Sequence, residues 1–123
     1  MILIVDDDEA MRQAAAAVLE DAGFGVVCAQ DGMEAIGMYR SRCSEIHLVI
    51  CDIMMPNLGG VETFQNLKAI NPEVAVIFAS GFLSNRTRIL LNEQGARGFL
   101  HKPYSSSDIL TAVRSVLGGS PSP

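Results

Sequence analysis

The chain has 123 residues, 49% hydrophobic and 19% charged, with a net charge of −5. That is one domain's worth of sequence with enough apolar material for a core, which excludes a disordered chain. The acidic balance (pI about 4.8) offers no electrostatic footprint for nucleic acid, so no nucleic-acid binding by this domain is expected.

In chain order, short apolar runs occupy residues 2–5, 26–29, 46–51, 74–78 and 98–101. Most are β-branched and nearly continuous, the pattern of strands covered on both faces in a parallel sheet. An amphipathic helical segment follows each one. The first carries Met11, Ala15, Val18, Leu19 and Ala22 on one face and stops at Gly23. The second opens with Asp31 and Glu34, a cap-like pair, and turns Ala35, Ile36 and Tyr39 inward. The third runs from about Val61 through Phe64 and Leu67 and ends before Asn71-Pro72. Ser84 caps the fourth, which contains Ile89, Leu90 and Leu91 and ends at Gly95. Ser105 and Asp108 form a capping box for the fifth, with Ile109, Leu110, Val113 and Leu117 inward.

Five β–α repeats in this length are too few for a closed barrel. The expectation is an α/β fold, a (βα)5 doubly wound five-stranded parallel sheet spanning residues 1–118, with residues 119–123 as a flexible tail. No apolar run approaches the ~18 residues needed to cross a bilayer, and no basic leader precedes the first strand. A soluble cytoplasmic protein with no membrane partner is therefore expected. Cys28, Cys43 and Cys51 make an odd count with no CxxC pair. They read as buried free thiols in a reducing compartment.

In doubly wound sheets, sites form at the carboxyl ends of the strands. Here those ends bring Asp6-Asp7-Asp8, Asp52, Ser80 and Lys102. Crowded carboxylates repel one another, and a cation relieves the repulsion. All-oxygen donors without His or Cys select a hard ion, and a few carboxylates plus waters suit Mg²⁺ better than Ca²⁺. A carboxylate beside a divalent cation and a lysine is set up to attack phosphorus and form an acyl phosphate; Asp52 is the candidate nucleophile. Each residue taken singly has an ordinary reading. Asp8 suits a helix cap, Ser80-Gly81 a turn, and Lys102 a solvated charge. Their joint occurrence at the ends of four strands is what those readings do not supply. His47 and His101 lack ligand spacing and read as strand-edge residues.

The segments ILIVDDDEAMR, VICDIMMPNLGGVE, VIFASGF and GFLHKPY resemble the receiver domain of response regulators, over residues 1 to about 117. The resemblance implies a flavodoxin-like receiver fold with strand order 2-1-3-4-5. It makes Asp6 and Asp7 the acidic pair, Asp52 the phosphoacceptor, Ser80 the switch hydroxyl, Lys102 the active-site lysine and Phe99 the switch aromatic. It implies Mg²⁺ bound directly by Asp7, Asp52 and the carbonyl of Met54, with Asp6 acting mainly through a water. A cis Lys102–Pro103 peptide is also implied. The implied partners are a sensor histidine kinase or a phosphotransfer protein, and a downstream partner on the face of the fourth helix, fifth strand and fifth helix. Such a domain is not an enzyme on a separate substrate; it catalyses its own phosphorylation and slow autodephosphorylation. By the same resemblance, Met54 and Phe82 flank the path of the hydrolytic water. The ASGF and GFLHKPY wording looks most like receivers of hybrid sensor kinases, and Met1 standing directly against the first strand suits a domain cut from a longer chain.

Ser80 in place of the commoner threonine keeps the hydroxyl, while Gly81 and Gly59 replace a usual alanine and a frequent aspartate. A flavin binder of the same architecture needs a phosphate-cradling loop after the first strand, where three aspartates stand instead. A haloacid-dehalogenase-type phosphatase could use Asp6-x-Asp8, but its threonine-containing continuation is missing. The remaining alternative is a non-phosphorylated receiver-like docking module, which would have no use for the full acidic and lysine set.

Overall fold

The structure is a computed structural model that describes residues 1–118; the expected tail lies outside the described residues. Five strands, β1 (Ile2–Val5), β2 (Val26–Ala29), β3 (Leu48–Asp52), β4 (Val76–Ser80) and β5 (Gly98–His101), alternate with five helices. These are α1 (Glu9–Asp21), α2 (Gly32–Arg42), α3 (Gly60–Ile70), α4 (Asn85–Glu93) and α5 (Ser106–Leu117). The strands form one parallel sheet in the order β2-β1-β3-β4-β5. The expected fold class and strand order are those observed.

Side chains alternate across the sheet, so each strand feeds two cores. Leu3, Val5, Val49, Cys51, Val76 and Phe78 face α2, α3 and the single buried side chain of α4, Leu91. Ile2, Ile4, Leu48, Ile50 and Ile77 face α1 and α5. Strands buried on both faces explain why their sequences show apolar runs rather than alternation. No helix among the described residues is long and apolar enough to cross a membrane.

The helix starts follow local chemistry. The Asp8, Asp31 and Ser84 side chains each accept a hydrogen bond from an amide in the first turn, and Ser105 and Asp108 complete a reciprocal capping box. In α2, Glu34 accepts from the amide of Gln30, one residue before the cap. Gly59 starts α3 with no side-chain cap.

Two strand boundaries correct the sequence reading. Residues 46–51 and 74–78 were expected as strands, whereas β3 and β4 begin two residues later and run on to Asp52 and Ser80. Ile46 and Val74 are buried, but their amides close turns onto the carbonyls of Arg42 and Asn71. Their apolar character comes from packing, not from ladder pairing. Of the three cysteines, Cys51 is buried while Cys28 and Cys43 are half-buried, and all are free.

Candidate functional site

Strands β1 and β3 are neighbours, with Val5 beside Cys51 in register, so Asp6 and Asp52 leave the sheet side by side. Lys102 follows β5, two strands away, and its amide donates to the Ser80 carbonyl at 2.8 Å. From there its ammonium reaches back to Asp6 Oδ2 at 2.7 Å and Asp52 Oδ2 at 3.1 Å. Asp6 and Asp52 are only 4% and 6% exposed, so this double ion pair is held largely out of water. The Lys102–Pro103 peptide is cis.

The remaining oxygens are also assigned. Asp6 Oδ1 accepts from the Asp8 amide and Asp52 Oδ1 from the Met54 amide. Asp7 is exposed, and one oxygen each of Asp6, Asp7 and Asp52 lie within 4.8 Å of one another. Three carboxylates against one ammonium leave excess negative charge. With only oxygen donors present, the cluster could hold a hard divalent cation.

Burial pushes the Asp52 carboxyl above its ordinary value, with the Asp6 charge adding to it and Lys102 partly offsetting it. Burial opposes the Lys102 charge, but its hydrogen bonds and attraction to Asp6 and Asp52 outweigh that and raise its pKa. Burial likewise raises the Cys51 thiol beside the site, which keeps it protonated and inert.

The other expected residues stand apart from the ion pair. Ser80 is buried, and its hydroxyl donates to the Phe82 carbonyl at 2.5 Å and accepts from the Phe82 amide at 3.2 Å. Phe99 is half-buried, stacked on Phe78 with ring centroids 6.3 Å apart, and the Arg88 guanidinium lies 4.7 Å above its ring. Met54 and Phe82 are 75% and 80% exposed, so Phe82 is not packed under α4.

Three contributors went unseen in the sequence. Arg12 donates to the Asp6 carbonyl at 2.7 Å from the first turn of α1. Gly60 approaches the end of β3 so closely that a Cβ there would meet the Asp52 carbonyl and lie 2.7 Å from Ile53 Cα. Arg88 covers Phe99. Only the Gly59-Gly60 pair carried a readable signal, since adjacent glycines often mark close backbone approach.

An open parallel sheet that gathers this acidic cluster and lysine at its carboxyl edge defines a receiver domain of two-component signalling. The family described as response regulator receiver domain matches residues 2–114, and the chain belongs to it. Among the relatives, response regulator MprA of Mycolicibacterium vanbaalenii is 32% identical over 94% of this chain and 49% of its own length. The sensor kinase CckA of Brucella abortus is 29% identical over 94% of this chain and 12% of its own. The chain thus spans about half the length of the regulators it matches. Among solved structures, the CheY of a CheX–CheY–BeF3–Mg complex from Borrelia burgdorferi superposes with a TM-score of 0.90 at 28% identity, covering 94% of this chain and 87% of the other. A receiver domain protein from Clostridium thermocellum gives 0.86 at 30% identity, covering 94% and 93%.

Proposed function

We propose that Asp52 accepts a phosphoryl group, in the cytoplasm, from a phosphohistidine of a sensor histidine kinase or a phosphotransfer protein. The observation that carries this reading is the Lys102 ammonium bridging buried Asp6 and Asp52 within a three-carboxylate cluster. Asp7, Asp52 and the Met54 carbonyl would hold Mg²⁺ directly, and Asp6 through a water. The ion, when bound, neutralises charge on the transferring phosphoryl oxygens.

The chain's own residues do the rest. An Asp52 oxygen forms the bond to phosphorus as the N–P bond breaks, and that electron pair returns to the donor imidazole. Lys102 stays charged and stands within reach of the added oxygens. The Ser80 hydroxyl exchanges the Phe82 carbonyl for a phosphoryl oxygen, and Phe99 turns inward, altering the α4-β5-α5 face that a downstream partner reads. The domain acts on its own side chain, so it is a phosphoacceptor rather than an enzyme with a separate substrate. Similarity to about half of a response regulator and to a small part of a sensor kinase supports its working within either kind of longer protein.

Acetyl phosphate with Mg²⁺, followed by intact mass, tests the reading. One phosphoryl adduct is expected on the parent and none on Asp52→Asn. Asp7→Ala should weaken Mg²⁺ binding and labelling together, while Lys102→Ala should keep metal binding and impair labelling. An unlabelled parent would favour the docking-module alternative, and labelling of Asp52→Asn at the parent rate would refute the assignment.

A further inference from the structure

The chain carries three thiols and six thioethers. Two of the thiols are poor targets for an oxidant, since peroxides attack the thiolate and burial raises the pKa of Cys51 and of Cys28. A thioether needs no deprotonation, so its reactivity follows its exposure. Met1, Met11, Met38 and Met55 are half-buried, whereas Met33 and Met54 are 65% and 75% exposed.

These two exposed thioethers differ in what they stand beside. Met33 lies in the first turn of α2, where an exposed apolar side chain is ordinary surface. Met54 follows Asp52 by two residues, and its amide donates to Asp52 Oδ1 at 3.2 Å. Asp52 is buried and Met54 is exposed, so the Met54 side chain stands on the solvent side of that carboxylate, beside the approach of any water that attacks phosphorus there. As a thioether it is apolar and a weak acceptor, and it obstructs such a water without aligning it.

We infer that Met54 is an oxidation-sensitive site, at which conversion to the sulfoxide shortens the life of an acyl phosphate on Asp52. The effect rests on the reading of Asp52 as phosphoacceptor. The oxidant is a hydroperoxide such as hydrogen peroxide. The sulfur lone pair takes one peroxide oxygen, the O–O bond breaks, and the peroxide is reduced to water as sulfur is oxidised by two electrons. The new S=O oxygen is a strong acceptor to which a water donates, and a water held there is aligned rather than turned away. Its oxygen bonds to phosphorus, the electron pair of the Asp52–phosphorus bond returns to the carboxylate, and both protons leave with the phosphate. Reduction of the sulfoxide restores the thioether and with it the obstruction.

The test uses the full chain, hydrogen peroxide and peptide mass mapping of added oxygen, with circular dichroism confirming the fold. Met33 and Met54 should be oxidised before Cys43 and the half-buried methionines. Oxidised protein labelled with acetyl phosphate in Mg²⁺ should lose its phosphoryl group about threefold faster than untreated protein. Methionine sulfoxide reductase should restore the slow rate. Met33→Leu should keep this response to peroxide, whereas Met54→Leu, with no sulfur to oxidise there, should lose it. Met54 left intact while Cys43 or a half-buried methionine is oxidised, or a response that persists in Met54→Leu, would overturn the inference. Oxidised protein that takes the label and loses it at the untreated rate refutes this inference alone. Untreated protein that takes no label refutes the phosphoacceptor role, and this inference with it.

Discussion

Asp6, Asp7 and Asp8 are consecutive and chemically identical, yet the fold gives each a different use. Asp6 turns in to the Lys102 ammonium, Asp7 stays exposed beside Asp52, and Asp8 caps α1. Residue types and their strand-end positions were readable in the sequence, because an open parallel sheet collects such ends at one edge. The pairings were not readable. Nothing local to Ser80 foretells that its hydroxyl is already satisfied by Phe82, or that Arg88 lies on Phe99. The exposure of Met54 and Phe82 bears on the lifetime of an acyl phosphate at Asp52. Both side chains are bulky and apolar, so they can obstruct an approaching water and cannot orient it. Met54→Asn with Phe82→Glu should speed loss of the phosphoryl group by about tenfold, or about 1.4 kcal/mol of barrier. Dephosphorylation time courses of parent and double variant in Mg²⁺ buffer check this; equal rates with folding intact would refute it.

Elements, unlike contacts, were largely legible. Caps at Asp8, Asp31, Ser84 and Ser105 stand where short polar side chains precede apolar periodicity. Strand starts were the weak point, since Ile46 and Val74 look like strand residues and serve as plugs beneath turns. The entry into α3 offers a paired test from adjacent glycines. Gly59 has φ −72° and ψ 170°, open to any residue, and leaves the helix uncapped. Gly59→Ser should stabilise the domain by about 0.5–1 kcal/mol, by adding a cap and restricting the unfolded chain. Gly60→Ala should cost about 3 kcal/mol, since its Cβ has nowhere to go without displacing the end of β3, and labelling of Asp52 should slow with it. Urea midpoints with matched slopes would measure both. A neutral Gly60→Ala would mean that α3 can shift freely away from the site.

For the whole molecule, the buried cluster sets the pH response. In metal-free protein the Asp52 carboxyl sits above its ordinary value, chiefly through burial, so the folded state keeps that proton to higher pH than the unfolded chain. Stability must then fall as pH rises from the ordinary carboxylate value through the raised one. Asp108 works in the opposite sense. Hydrogen bonds from Ser105 lower its pKa, giving stability that is present above the ordinary value and lost as pH falls through the lowered one. Unfolding of parent and Asp52→Asn in chelator across this span should show the parent losing ground as pH rises, with Mg²⁺ restoring it. Parallel curves would contradict the assignment. The same cluster also makes the site a property of the whole chain. The two ion pairs of Lys102 join residues 96 and 50 positions apart in sequence, so no fragment short of the complete sheet can assemble them. A local opening of β5 would undo the site with every one of its side chains still present.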